Sequence, residues 1–396
     1  MEAELISGGA ILRLLLLTLT LSGPATAEPF LPTGDAQLVE RLPDRSAFEY
    51  RDLKRLRAIA IAEPGNVYAA AALADAYYGI SRREGDPRYL GYAQAALTPW
   101  WIDPDAPTAV LVTRATILQS NHEFPRALAD LDKAIAREPD NARAILVRAT
   151  ILIVRGKYDE ALADCNNLQG VAGDTYVLIC VASIAAATGK AKPAEAALKD
   201  RLSALPDAAP DVRAWIESLR GEIAQRTGDP EADQHFRAAL AADPRDLYTI
   251  GAYCDWLLEQ NRAAEVIPLV EKGQRVDGLL LRLALAQKAL RLPEADTTTA
   301  TLRARFDASR ARGDTVHRRE EARFQLMLNN DAEAALRLAL SNWNVQREPA
   351  DLRILADVAH ATGDAAALET VRQWLATTKL EYPAVAKLVN AEWTTQ

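Results

Sequence analysis

Two consecutive stretches of the chain, 108–141 and 142–175, align with each other without a gap. The block Arg-Ala-Thr-Ile-Leu occurs at 114–118 in the first stretch and at 148–152 in the second, at the same offset. A repeat of this length is one supersecondary unit, which cannot bury its apolar faces alone and must stack on neighbouring units. The repeat therefore predicts an extended array of similar units.

The residue types shared by the two stretches suit a pair of antiparallel helices. Ala115 and Ala127 are small where the two helices must cross closely, and Phe124 covers the turn between them. Pro139 ends the second helix because it has no amide hydrogen to donate. This pattern resembles the tetratricopeptide repeat, a helix pair of about 34 residues. The resemblance implies an all-α fold, a right-handed α-solenoid of antiparallel helix pairs.

The pattern weakens on both sides of these two units but continues. Parts of it recur in three further units, 175–208, 212–245 and 247–276, and apolar periodicity alone predicts helix pairs at 278–313 and 315–348. A composition of 49% hydrophobic but only 6% aromatic residues, rich in Ala and Leu, agrees with helices. We predict one repeat domain over 49–396, closed by a short amphipathic helix at about 383–393.

The first 27 residues have the features of a signal peptide. A short apolar run, 14–21, is followed by Ala25-Thr26-Ala27, the small-x-small pattern of a cleavage site. The run is too short for a membrane span, which needs about 20 apolar residues. We predict cleavage after Ala27, an extended arm over 28–48, no transmembrane anchor in the mature chain, and a periplasmic or secreted bacterial protein. An uncleaved anchor and a cytosolic protein are the alternatives.

The three cysteines, Cys165, Cys180 and Cys254, have no metal or redox spacing. The first two fall on neighbouring predicted helices, so an exported protein would permit a disulfide between them. Alternatively, all three are small buried packing residues. The sequence leaves both interpretations open.

The resemblance also implies where a partner binds. In this family the first helix of each pair lines a concave groove, and its second, fifth, ninth and twelfth places face inward. The candidate groove residues on these places are Arg143, Leu146, Thr150, Ile153, Tyr176, Ile179, Ser183, Trp215, Tyr248 and Asp255. The aromatic row among them favours a peptide partner, because Tyr and Trp dominate binding hot spots. The alternative is that these rings pack against adjacent helices or the termini.

Other functional classes have little support in the sequence. A net charge of −8 argues against a nucleic-acid partner, which needs a basic surface. The four histidines are scattered, and the sequence contains no phosphate-binding glycine loop, zinc-protease motif or nucleophile elbow. We therefore predict no enzyme, no cofactor and no metal. The predicted function is a protein-interaction scaffold of the cell envelope with a polypeptide partner of unknown identity.

A second hypothesis concerns an arginine-rich region, 303–323. The positive charge of this region is partly offset by nearby acids. Its seven arginines are Arg303, Arg305, Arg310, Arg312, Arg318, Arg319 and Arg323. Such a cluster would suit an acidic partner or an anionic component of the envelope. The alternative is an ordinary solvated helix surface with ion pairs one turn apart.

Overall fold

A computed structural model describes Gly34 and residues 48–271, 273–314 and 316–390. The structure is 76% helical, with 20 helices and no strand among these residues, so the prediction of an all-α solenoid is confirmed. The predicted signal peptide, 1–27, lies outside the described residues. So does the predicted arm, 28–48, apart from Gly34 and the first residue of the first helix.

After α1 (Phe48–Ala62) the described helices form consecutive pairs. The first four pairs are α2 (Val67–Glu84) and α3 (Arg88–Ala96), α4 (Thr108–Ser120) and α5 (Phe124–Arg137), α6 (Ala142–Val154) and α7 (Tyr158–Asn167), and α8 (Asp174–Ala187) and α9 (Ala191–Ala204). The next three are α10 (Pro210–Thr227) and α11 (Ala232–Ala242), α12 (Leu247–Glu259) and α13 (Ala263–Val270), and α14 (Asp277–Ala289) and α15 (Ala295–Ala311). The last helices are α16 (Arg318–Met327) and α17 (Ala332–Trp343), α18 (Pro349–Thr362) and α19 (Ala365–Thr378), and α20 (Pro383–Asn390).

Local sequence sets the ends of several helices. The side chain of Asn141 accepts a hydrogen bond from the backbone amide of Ala144 at the start of α6, and Asp246 caps α12 in the same way. Gly228 ends α10 with φ at 78°, a left-handed conformation that glycine adopts without steric cost. These caps place short turns between the helices, so consecutive helices become antiparallel neighbours.

Close crossing of paired helices produces the core. Each helix packs on its partner in the pair, and each first helix also packs on the first helix of the next pair. The repeated alanines Ala115, Ala127, Ala149 and Ala161 are fully buried at these crossings. At the crossing of α10 and α11 the small residue is Gly221, where an added Cβ would lie 2.8 Å from the Phe236 ring.

The arginine that the two clearest repeats share has a structural role. Arg114 makes a two-point ion pair with Asp130 across the α4/α5 pair, with both contacts at 2.7 Å. Arg148 pairs with Asp164 across α6/α7 in the same way, at 2.8 and 2.6 Å. The repeat therefore contains a salt bridge between its two helices as well as their apolar contact.

The described residues from Asp52 to Asn390 belong to one compact unit, in which helix pairs late in the sequence contact early ones. The backbone amide of Arg347 donates to the carbonyl oxygen of Val154 at 2.7 Å. Gly156 lies against the Trp374 ring, and Gly189 lies against Lys379. The turns of the early pairs are therefore covered by the segment around α18 and α19.

The last described helix, α20, packs on α18 and α19 and also contacts α10. Val385 and Val389 are its buried residues. The predicted closing helix extends to 393, but residues 391–393 lie outside the described part of the chain.

Cys165 on α7 and Cys180 on α8 form a disulfide, with Cα atoms 5.7 Å apart. Cys254 is buried with a free thiol, whose pKa burial raises to about 12. Of the two interpretations of the cysteines, the bridge applies to the first pair and the packing role to Cys254.

Candidate functional site: a charged cavity on the first helices

A cavity of about 450 Å³ lies between first helices of the solenoid. The first helices of five consecutive pairs, α10, α12, α14, α16 and α18, supply most of its lining. Its charged lining residues are Glu222, Arg226, Asp255, Glu259, Arg282, Arg319, Glu320, Arg323, Glu348, Arg353 and Asp357. The volume falls in the range typical of ligand sites, about 300–1,000 Å³, although the lining is far more charged than usual.

At one end of the cavity arginines and carboxylates balance. Asp255 on α12 binds Arg282 at 2.5 Å and also contacts Arg323. Arg353 on α18 binds Glu259 at 3.0 Å and Asp357 at 2.9 Å. Three guanidinium groups thus face three carboxylates, and we call these six residues the balanced end.

At the other end carboxylates exceed arginines. The Arg319 guanidinium is shared by Glu320, Glu348 and Asp351, at 3.3, 3.2 and 3.4 Å. Glu222 has a more distant cation, Arg226, at 3.8 Å. These six residues, which we call the acid-rich end, contain four carboxylates and two guanidinium groups, and one of the carboxylates, Glu320, also interacts with Arg282 of the balanced end.

The pKa values at the acid-rich end reflect this imbalance. Burial, and then the neighbouring Asp351 carboxylate, raise the pKa of Glu348 to about 7, against the opposing effect of Arg319. Burial also raises the pKa of Glu222, only partly offset by Arg226. Glu320 is different: burial acts to raise its pKa, but Arg319, His317 and Arg282 hold it at about 2. Burial also raises the pKa of Asp351, against the opposing effect of Arg319. Glu222, Glu348 and Asp351 are therefore the carboxylates of this end that bind a proton more readily than usual.

Tyr248 connects the predicted groove with this cavity. Its side chain is 54% exposed, lines the cavity and lies within hydrogen-bonding reach of the Glu222 carboxylate. The Glu222 charge raises the Tyr248 pKa well above its ordinary value, so the phenol stays neutral. A neutral ring with an exposed face therefore stands beside the acid-rich end.

Of the three residues in the predicted aromatic row, only Tyr248 lines the cavity. Tyr176 and Trp215 are neighbours, with ring centroids 6.3 Å apart and exposures of 37% and 40%. Both lie outside the lining of the cavity, whereas Tyr248 is inside it. Asp255 is the other predicted groove residue in the lining.

The remaining predicted residues of α6 and α8 have varied surroundings. Arg143 is bonded to Asp75 of α2, at 2.5 and 2.6 Å. The hydroxyls of Thr150 and Ser183 donate to backbone carbonyls one turn earlier in their own helices. Leu146 and Ile153 are partly buried and pack against the core.

One of these residues is unavailable to a partner. Ile179 is fully buried, in a core cluster that includes Ala182 and Leu198. Its prediction as a groove residue was wrong, because α8 buries its fifth place against the neighbouring helices.

The helices after α12 supply site residues that the sequence did not assign to the groove, although Arg319 was part of the predicted arginine-rich region. Arg282, Arg319, Glu348 and Arg353 lie on or next to α14, α16 and α18, where the repeat pattern is too weak to set a register. The available signal was charge on the first helix of each periodic pair. It could have been used only once the helix boundaries were known.

The arginine-rich region, 303–323, is largely engaged within the protein. Arg305 binds Asp277 at 3.0 Å, and Arg310 contacts Asp307 and Glu321. Arg319 and Arg323 belong to the two ends of the cavity. These contacts neutralise much of the positive charge on which the second hypothesis depends.

Two features are absent from the described residues. They contain no group of His, Cys, Asp and Glu arranged to hold a metal ion. None of the described helices has both the length and the apolar character required to cross a membrane.

Tandem antiparallel helix pairs whose first helices line a common cavity form an α-solenoid. The chain is similar to a tetratricopeptide repeat protein from Parabacteroides merdae, at 14% identity and a TM-score of 0.35, over 84% of this chain and 100% of that one. It is also similar to the human IFIT1 dimer with m7Gppp-AAAA, at 14% identity and a TM-score of 0.42, over 86% and 76%. The P58(IPK) TPR domain is a further similar structure, at 17% identity and a TM-score of 0.25, over 85% and 92%. Neither a family model nor a curated protein matches the sequence.

Proposed function

We propose that this protein is a non-catalytic scaffold that binds a polypeptide segment along its first helices, from Tyr176 and Trp215 to the charged cavity. The observation that carries the proposal is the exposure of three large aromatic side chains, Tyr176, Trp215 and Tyr248, on successive first helices. Exposed aromatic side chains of this size are favoured at binding hot spots. The cavity beside Tyr248 adds polar groups that would fix the orientation of a bound chain.

Site-directed cross-linking tests this proposal. A photoreactive benzoylphenylalanine in place of Trp215 or Tyr248 should cross-link a polypeptide from extracts of the source cell. The same group in place of Leu162, which is 37% exposed on a second helix, is the matched control. Cross-links from both first-helix positions but not from the control are expected. Equal cross-linking from all three positions would contradict the groove.

Export is a separate part of the proposal. The disulfide between Cys165 and Cys180 supports it, because such bonds persist in oxidising compartments. The expected mature protein begins at Glu28 and is recovered from the periplasm or the medium. Amino-terminal sequencing of the purified protein tests this, and a chain that begins at Met1 would contradict it.

A further inference from the structure

The two ends of the cavity differ in their balance of carboxylates and guanidinium groups. At the balanced end three arginines match Asp255, Glu259 and Asp357, so the charges cancel there, although burial raises the pKa of Glu259 and Asp357. At the acid-rich end one guanidinium, Arg319, is divided among three carboxylates. A further cation therefore fits the acid-rich end and not the balanced end.

The two carboxylates that would receive this cation are within reach of a ligand. The side chains of Glu222 and Glu348 are 23% and 29% exposed, whereas Asp351 is fully buried behind them. Glu222 and Glu348 interact electrostatically with each other and with Tyr248. The exposed face of the Tyr248 ring would add a cation–π contact.

We propose that the acid-rich end binds the cationic end of an Arg or Lys side chain that belongs to the bound polypeptide. Glu222 and Glu348 are its ion-pair partners, and the Tyr248 ring lies beside it. This inference rests on the proposed function and specifies the chemistry of the partner at one place. A cation held by two partly enclosed carboxylates is compensated for the water it loses on entering the cavity.

The position of α10 favours a polypeptide over a free cation. Trp215 and Glu222 lie on this helix seven residues apart, which corresponds to about 10 Å along its axis. A chain whose basic side chain occupies the acid-rich end would therefore continue over the exposed rings of Trp215 and Tyr176. A small free cation would leave these rings uncovered.

The proposal can be tested with matched peptides and purified protein. The probes are blocked hexapeptides that contain one Arg beside an aromatic residue, and the same peptides with citrulline, which keeps the shape of Arg but has no charge. Isothermal titration calorimetry should show binding about tenfold tighter for the Arg peptide. The substitutions Glu222→Gln and Glu348→Gln should each remove most of this preference. Glu369→Gln, an equal charge change at an exposed position of α19 outside the cavity lining, should leave it intact.

A pH series gives a second readout that a merely structural role of Glu348 would not produce. The cation binds the ionised carboxylate, so the preference for Arg should grow as pH rises through about 7 and binding should release a proton. The titratable and charged groups around Glu348 are Arg319 and Glu320 on α16, Asp351 on α18, Glu222 and Arg226 on α10, Tyr248 on α12 and Tyr158 on α7. The Glu348→Gln protein should lose this dependence while it retains the helical signal of the parent protein.

The possible failures are distinguishable. Equal affinity for Arg and citrulline peptides would overturn the cation site and leave the peptide groove in place. Binding of N-acetyl-arginine amide or spermidine as tight as that of the Arg peptide would replace the polypeptide with a free cation. If neither peptide bound in the calorimetric titration and neither Trp215 nor Tyr248 gave a cross-link, both this inference and the proposed function would be overturned.

Discussion

The backbone amide of Arg347 donates to the carbonyl oxygen of Val154 at 2.7 Å, although the two residues belong to helix pairs far apart in the sequence. The same region is packed by side chains, since the rings of Tyr158 and Trp374 are 6.2 Å apart. A hydrogen bond and an aromatic contact thus join the turn between α6 and α7 to the end of the solenoid. Because α18 also lines the cavity, these contacts help to fix the position of one of its walls.

A substitution at Gly156 tests the contact between this turn and Trp374. Its φ is 70°, and an added Cβ would lie 2.3 Å from the Trp374 ring. Gly156→Ala should therefore combine left-handed backbone strain of about 1–2 kcal/mol with a steric cost of about 1–3 kcal/mol. The measurements are the free energy of unfolding and hydrogen exchange across 343–380, where faster exchange is expected.

Gly228→Ala is the control for Gly156. Gly228 has a similar φ of 78° at an equivalent turn, and no atom lies within 4 Å of its added Cβ. It should show the backbone cost alone, with exchange in 343–380 unchanged. If the two variants lost equal stability, the packing of Trp374 on Gly156 would contribute nothing.

The buried pair of Arg114 and Asp130 gives a second prediction. Both side chains are nearly inaccessible, and Arg114 also donates to the backbone carbonyls of Trp100, Trp101 and Asp103. Asp130→Asn leaves the buried Arg114 guanidinium without a counter-charge, so it should lower the free energy of unfolding by about 3–5 kcal/mol. Chemical denaturation measures this loss.

A more exposed equivalent of this pair gives the control. Arg148 is 22% exposed and also binds Asp132, so Asp164→Asn should cost less than Asp130→Asn. A larger loss at Asp164 would indicate that burial does not set the strength of these repeated bridges.

The sequence predicts the architecture well and the site only in part. Alanines at fixed offsets define close helix crossings, and Ala115 and Ala149 are fully buried. Where the repeat pattern is clear, it predicts Tyr248 and Asp255 as inward-facing residues, and both line the cavity. The first helices near the end of the array have no such register in the sequence, so Glu348 was not predicted, and Arg319 was predicted only as part of the arginine-rich region and not as a groove residue.

The contact between Val154 and Arg347 could not be predicted for a different reason. It depends on the curvature of the solenoid, which accumulates from small rotations between many neighbouring pairs. A sequence pattern describes one unit and its nearest neighbour. The repeat pattern also failed to predict the burial of Ile179. This residue occupies an inward-facing position of the repeat, but in this array it packs against other helices and is fully buried.

The disulfide gives a third prediction. The bond joins Cys165 and Cys180, 15 residues apart, and closing a loop of this size stabilises a protein by about 3 kcal/mol. A reducing agent should lower the free energy of unfolding by about this amount. The double substitution Cys165→Ala and Cys180→Ala should be insensitive to reductant, and Cys254 should stay unreactive towards thiol reagents in the folded protein because it is buried. Equal stability of the oxidised and reduced protein would contradict the structural role of the bridge.

The fourth prediction concerns the pH dependence of stability. The folded pKa of Glu348, about 7, is above its ordinary value of 4.5, so the folded protein binds this proton more tightly than the unfolded chain. The resulting stabilisation is fully present below about pH 4.5, decreases as pH rises, and is lost above about pH 7. Relative to Glu348→Gln, which cannot ionise, the parent protein should lose on the order of 1–3 kcal/mol of stability over this interval.

Chemical denaturation of both proteins at several pH values measures this difference. The Gln side chain can still accept the capping hydrogen bond at the start of α18, so the comparison isolates the charge. Glu369→Gln should follow the pH profile of the parent protein, since Glu369 is an exposed partner of Arg372 outside the cavity. If the parent protein and Glu348→Gln had parallel profiles from pH 4.5 to 7, Glu348 would be an ordinary ionised carboxylate. Arg319 would then compensate all of its neighbours, and the acid-rich end would have no deficit of positive charge for a partner to fill.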